Sequence, residues 1–136
     1  MKKIAFVLIL SIMLSFGMSI IASAEEYGVM PRLNNGITAE RYFYIIGNDA
    51  VVRIEAYGIT NITSRITVNV TLEKRALFGL WWKEIANWES STTKTNHTFE
   101  FSHEAESGTY RCNFEIKFEG SGGSADIITD QLTISN

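Results

Sequence analysis

Apolar and polar residues alternate with period two over most of the chain beyond residue 36, most regularly in Tyr110-Arg111-Cys112-Asn113-Phe114-Glu115-Ile116-Lys117-Phe118. Tyr110, Cys112, Phe114, Ile116 and Phe118 share one face and the polar residues the other, the pattern of a half-buried antiparallel strand. The same parity places Ile66, Val68, Val70 and Leu72 inward, as it does Ala50, Val52, Ile54 and Ala56, and it sets His97, Phe99, Phe101 and His103 on a common face. Residues 37–46 are rich in β-branched and aromatic side chains and close on Gly47-Asn48-Asp49, a turn signal. Residues 127–134 form a last strand after Gly120-Ser121-Gly122-Gly123-Ser124, which reads as a flexible loop. No segment alternates strand with helix as a parallel sheet requires, so the pattern predicts an all-β, antiparallel two-sheet sandwich of about seven strands.

Between Lys74 and Trp88 helix and strand compete, because Leu77, Trp81, Ile85 and Trp88 keep helical spacing. Gly79 in the middle, the absence of an N-cap residue near Lys74 and the aromatic content favour a hairpin turning near residues 77–80. Adjacent residues of a strand point to opposite faces, so one sheet face cannot take Phe78, Leu80, Trp81 and Trp82 together, and part of this apolar set is left outside. Parity within the second arm predicts Trp81 outward with Lys83, Asn87 and Glu89, and Trp82 and Trp88 inward with Ala86 and, at the turn, Leu80. Phe78, Leu80 and Trp81 are therefore the candidate binding residues, since a large exposed apolar patch marks a partner, ligand or membrane surface.

The N-terminus changes the setting. Lys2 and Lys3 precede an apolar run that ends in Ala22-Ser23-Ala24, the three parts of a secretory signal peptide, with removal expected after Ala24. A retained membrane anchor is the alternative. The expected organisation is a signal peptide over residues 1–24, an extended N-terminal segment over 25–36 that holds the only proline, Pro31, and a β-sandwich domain over 37–136, giving a secreted, extracellular protein. All 15 acidic residues lie beyond Ala24, while Lys2 and Lys3 are among the 12 basic ones, so the exported part is more acidic than the chain's net −3. That balance excludes nucleic acid as a partner, because its binding rests on clustered lysine and arginine. Cys112 stands alone on an apolar strand face, which rules out a disulfide framework and reads as a buried thiol.

Two resemblances follow from these residues. Glu106-x-Gly108-x-Tyr110-x-Cys112 resembles the turn into strand F of immunoglobulin-like sandwiches, where a tyrosine two residues before a cysteine bonds back to the preceding backbone. It implies an immunoglobulin-like variety of the sandwich, with glutamate at the usual aspartate and without the inter-sheet disulfide. The signal peptide, Met30-Pro31-Arg32-Leu33-Asn34-Asn35, Leu72-Glu73-Lys74-Arg75 before a tryptophan-rich stretch, Gly108-Thr109-Tyr110-Arg111 and Gly120-Ser121-Gly122-Gly123-Ser124-Ala125-Asp126 together are similar to an uncharacterised family (a domain of unknown function) of small secreted bacterial proteins, from Gram-positive species. That likeness implies export and brings no activity, ligand or catalytic residue with it.

Reactive chemistry is sparse. His97 and His103 lie about 20 Å apart along one strand at roughly 3.3 Å per residue, too far to share a metal ion. Glu84, Glu89, Asp126 and Asp130 are the acids a hydrolase could use, but spacing joins none of them, and no nucleophile, zinc or phosphate-loop motif is present. No catalytic residue, metal site or cofactor is expected. The sequence points to a secreted, non-enzymatic binding or interaction module with an exposed aromatic hairpin, its partner an unidentified protein, glycan or cell-envelope ligand and its oligomeric state open. A small membrane-active or bacteriocin-like protein, for which a membrane surface is the target, is the alternative, and an extracellular hydrolase ranks third.

Overall fold

The computed structural model describes residues 32–76 and 78–136; the expected signal peptide and most of the lead-in lie outside the described residues. Seven antiparallel strands follow in order: β1 Gly36–Ile46, β2 Asp49–Gly58, β3 Thr63–Ala76, β4 Trp81–Thr92, β5 Asn96–Glu104, β6 Thr109–Gly120 and β7 Asp126–Ser135. They form two sheets, β1-β2-β5 and β4-β3-β6-β7. This is the all-β, two-sheet antiparallel sandwich that the alternation predicts.

The inward faces are those read from parity. Ile66, Val68, Val70 and Leu72 of β3 and Tyr110, Cys112, Phe114, Ile116 and Phe118 of β6 are buried against Ala50, Val52, Ile54 and Ala56 of β2 and Phe99 of β5. Phe101 is only partly buried; it packs at the rim, where its ring stacks on Trp88 at 5.4 Å between centroids. Burial pushes the Cys112 thiol well above its ordinary pKa, as expected of a thiolate that would have to leave water.

The Tyr110 hydroxyl donates to the Glu106 carbonyl at 2.6 Å, tying β6 to the turn that precedes it. The fourth strand differs from constant-type immunoglobulin domains, where it joins the sheet of the first, second and fifth. Here a short hairpin keeps β4 beside β3, so the tryptophan-rich strand becomes an edge of the four-stranded sheet.

The segment just before β1 is held more firmly than a lead-in requires. Asn35 is fully buried; its Oδ1 accepts from the Gly122 amide at 2.8 Å and its Nδ2 donates to the Ser124 carbonyl at 2.7 Å. The Asp126 carboxylate accepts the amides of Asn34 and Asn35 at 2.8 and 2.5 Å. A side chain at Gly120 would collide with the Ile62 carbonyl, and one at Gly122 with that of Asn34. Gly120 and Gly122 thus serve close backbone approach rather than simple flexibility, while Gly123 takes a positive φ of 127°. A further tie crosses the sandwich, where Arg41 of β1 donates to Asp130 of β7 at 2.9 Å.

Candidate functional site

The β3–β4 hairpin outruns the sheet that carries it. The β3–β6 ladder ends at Lys74↔Tyr110, whereas the β3–β4 ladder continues through Arg75↔Trp82 to Ala76↔Trp81. Two rungs of two-stranded ribbon and the turn therefore project past β6, about 7 Å of strand before the turn is counted. At the turn, Phe78 and Gly79 both have positive φ, 58° and 79°. Consecutive left-handed residues are what the I′ hairpin turn needs, and asparagine or glycine usually fills the first position. A phenylalanine there is conformationally costly.

The candidate residues Phe78, Leu80 and Trp81 all lie on this projection, with relative exposures of 102%, 75% and 49%. Cations stand below them. The Arg75 guanidinium donates to the Gly79 carbonyl at 3.2 Å, and Lys74 and Lys83 face each other one rung further down. The Lys74 ammonium pairs with Glu106 at 3.3 Å and lies 5.6 Å from the Tyr110 ring centroid, so the collar is tied to the tyrosine turn.

Trp82 is a correction. The sequence placed it in the core with Trp88, but the β3–β4 register slips between Leu72 and Glu73, where Leu72 meets Ala86 and Glu73 meets Glu84. Ile85 is the extra residue of a β-bulge, and a bulge reverses which face every residue beyond it occupies. Ile85, Ala86 and Trp88 consequently all pack against the core. Trp82 falls on the outer face with Arg75 and Arg111, whose guanidinium carbons lie over its ring at 5.5 and 4.4 Å. Trp81 emerges exposed as expected, though its parity is that of Lys74, on the core side of the projecting ribbon.

Beside Trp82 runs a hydrogen-bonded band across the outer face. Arg111 and Asn113 of β6 donate to the Glu73 carboxylate at 2.6 and 2.7 Å, and Gln131 of β7 donates to Asn113 at 2.6 Å. The Arg111 hydrogen bond holds the Glu73 carboxyl below its usual range, against the opposing effect of partial burial. Asn113 and Gln131 of this band line a shallow depression with Asn69, Thr71, Glu115 and Thr129, where Asn69 donates to Glu115 at 3.3 Å and Asn87 to Thr71 at 2.8 Å. On the opposite sheet the Tyr42 and Tyr57 hydroxyls donate to Glu40 and Glu55 at 2.6 and 3.0 Å. The Glu40 bond raises the Tyr42 pKa to about 12.

The other sequence candidates are dispersed. His97 packs edge-on against Phe99, and the His103 ring nitrogen meets the Glu104 carbonyl at 2.7 Å. Asp126 and Asp130 have the structural partners already described, while Glu84 and Glu89 are exposed on the edge strand. Among the described residues no group of three His, Cys, Asp or Glu side chains is placed to hold a metal ion.

No family model matches the chain, and no curated protein matches it in sequence. Among solved structures it is similar to catalytic inactive OgpA from Akkermansia muciniphila in complex with an O-glycopeptide substrate, at 13% identity and a TM-score of 0.41 over 86% of this chain and 32% of that one. It is also similar to a β-glucosidase from Listeria innocua in complex with isofagomine, at 12% identity and a TM-score of 0.36 over 68% of this chain and 16% of that one. The chain spans less than a third of the second protein's length and about a third of the first's, and likeness at this level carries no function across.

Proposed function

We propose that this protein is an exported, non-catalytic binding module that meets its partner with the projecting hairpin tip, through Phe78, Leu80 and Trp81. The observation that carries the reading is the contrast between this tip and the rest of the molecule. Large apolar side chains elsewhere are mostly packed between the sheets, while Phe78 and Leu80 of the turn and Trp81 at the start of β4 stand exposed on the projection. Contiguous exposed apolar groups of this kind mark partner, ligand or membrane surfaces. Non-catalysis is supported by the acids Asp126 and Asp130 being committed to backbone amides and to Arg41, and by a thiol that burial keeps protonated.

The test is co-sedimentation of the mature chain, beginning at Glu25, with bacterial envelopes, peptidoglycan sacculi and lipid vesicles. The parent should bind at least one of them, and Trp81→Ala should lower that binding on the order of thirtyfold, as for an interface anchor worth about 2 kcal/mol, with the melting temperature unchanged. Binding that is indifferent to Trp81→Ala, or absent from all three, rejects the module reading. N-terminal sequencing of the exported protein checks the other half, and a start anywhere but near Glu25 contradicts the assigned cleavage.

A further inference from the structure

The hairpin tip is graded along its axis. Phe78, wholly exposed, stands at the apex, Leu80 follows, and Trp81 is half exposed one step lower. Below the Ala76↔Trp81 rung come Arg75 and then the facing pair Lys74↔Lys83. At about 3.4 Å per residue these cations lie roughly 3 to 7 Å beneath Trp81.

That order matches a cross-section through the surface of a bilayer: acyl chain, then the interfacial layer where tryptophan is favoured, then phosphate. Amphipathic elements that lie in this boundary bury their apolar side about 5–10 Å deep, the height of this tip above its collar. We infer that the tip seats in the interface of an anionic lipid bilayer, with Phe78 and Leu80 among the acyl chains, Trp81 at the headgroup boundary, and Arg75, Lys74 and Lys83 on the phosphates. The inference rests on the module reading above and names the partner of the same site.

Three observations favour lipid over a sugar or a protein pocket. A sugar site sets both donors and acceptors beside the stacking ring, whereas among the described residues on its side of the ribbon Trp81 has only the cations Lys74 and Lys83 below it and, toward the apex, the apolar Leu80 and Phe78. The collar is opposite in sign to the chain as a whole, which is net −3. The nearest acids, Glu73 and Glu84 one rung below and Glu106 paired with Lys74, lie farther from the apex than Arg75; with a screening length of about 8 Å at physiological salt, an anionic surface at the tip meets the cations first, and this order orients the hairpin toward it. Finally, Phe78 holds a left-handed turn position that favours asparagine or glycine. A turn built only for stability would not carry a fully exposed phenyl ring there, whereas a membrane wedge requires it.

The hairpin is far too short to span a bilayer, so binding is peripheral and leaves vesicles sealed.

The decisive comparison uses the mature chain from Glu25 with phosphatidylglycerol-containing vesicles, with phosphatidylcholine vesicles, and with peptidoglycan sacculi. The parent should partition onto the anionic vesicles, lose that binding as salt is raised, show a blue-shifted tryptophan emission, and release no entrapped dye. Phe78→Asn should leave the melting temperature unchanged or raised, because asparagine suits the turn, and weaken partitioning about tenfold. Arg75→Gln combined with Lys83→Gln, in a variant that melts like the parent, should abolish the preference for anionic over zwitterionic lipid. Phe78→Asn binding as tightly as the parent, equal binding to both lipids, or dye release at binding concentrations would each overturn the inference. Retention on sacculi alone, lost in Trp81→Ala, refutes the lipid assignment and leaves the module reading standing; retention on nothing removes both.

Discussion

Replacing Trp82 and Trp88 separately by alanine should give unequal losses, because the Ile85 bulge sends the two rings to opposite faces of the four-stranded sheet. Trp88 is packed against the core and stacked on Phe101 with an interplanar angle of 11°. Full truncation of a buried aromatic costs about 3–5 kcal/mol, and a ring of partial burial that also loses a stacked partner should cost about 2–4. Trp82 sits on the outer face, where its specific contacts are two guanidinium groups. Each such contact at an exposed position is worth about 0.5–1 kcal/mol, so Trp82→Ala should cost about 1–2. For a domain near 100 residues each kilocalorie moves the melting temperature by about 4–8 °C, which separates the two variants in a thermal scan and in urea titration. The attribution has its own check in the double variant Trp82→Ala with Arg111→Ala, whose cost should fall short of the sum of the two single costs. A loss at Trp82 equal to or greater than that at Trp88, together with additivity against Arg111, would mean that Trp82 points into the core and that the bulge is misplaced.

Two further outcomes follow from polar groups. Asn35→Ala removes the acceptor for the Gly122 amide and the donor to the Ser124 carbonyl, and at about 1 kcal/mol per neutral hydrogen bond it should cost about 2 kcal/mol, seen as faster amide exchange in residues 120–125; exchange unchanged there would show that the loop is ordered without it. Glu73 has a folded-state pKa below the ordinary carboxylate value of 4.5, so its contribution is complete above that value and is lost as pH falls through the lowered one. Glu73→Gln should therefore be less stable than the parent at pH 6 and lose less between pH 5 and pH 3, and parallel melting curves across that range would contradict the assignment.

The fold was legible in the chain to the extent that each strand keeps one unbroken alternation. β2, β3 and β6 do so, and their buried faces are those that parity assigns. The tyrosine turn was legible for a different reason: a local motif fixes a local hydrogen bond, and Tyr110 makes it with Glu106. β4 was not legible, because a single inserted residue reverses parity and nothing in Lys83-Glu84-Ile85-Ala86 marks which residue is extra. Ile85 and Ala86 as adjacent neutral residues were the available hint; two neighbours packed against one core require a break in alternation. The role of Asn35 was hidden for another reason. Its partners, Gly122, Ser124 and, through its main chain, Asp126, lie about ninety positions away, and a buried amide beside Gly36 reads as turn chemistry until the fold brings that loop to it. The exposed tip needed no tertiary information, since too many large apolar groups in one short turn cannot all be covered.

The division of labour among the three tryptophans follows from where the ladders stop. Past Lys74↔Tyr110 the hairpin is a two-stranded ribbon, and such a ribbon is marginal in water unless something packs on it. Trp82 provides that packing from the outer side, with Arg75 from its own hairpin and Arg111 from the neighbouring strand over its ring. Arg111 is in turn held by Glu73, whose carboxylate also takes a hydrogen bond from Asn113, so the base of the projection is fastened to β6 through charged groups on its surface. Trp88 anchors the same strand on the core side, beyond the bulge. Trp81, one rung beyond both fixings and past the end of the β3–β6 ladder, stays half exposed. The bulge at Ile85 separates the other two: without the inserted residue, one face would have to serve both the core contact of Trp88 and the outer contact of Trp82.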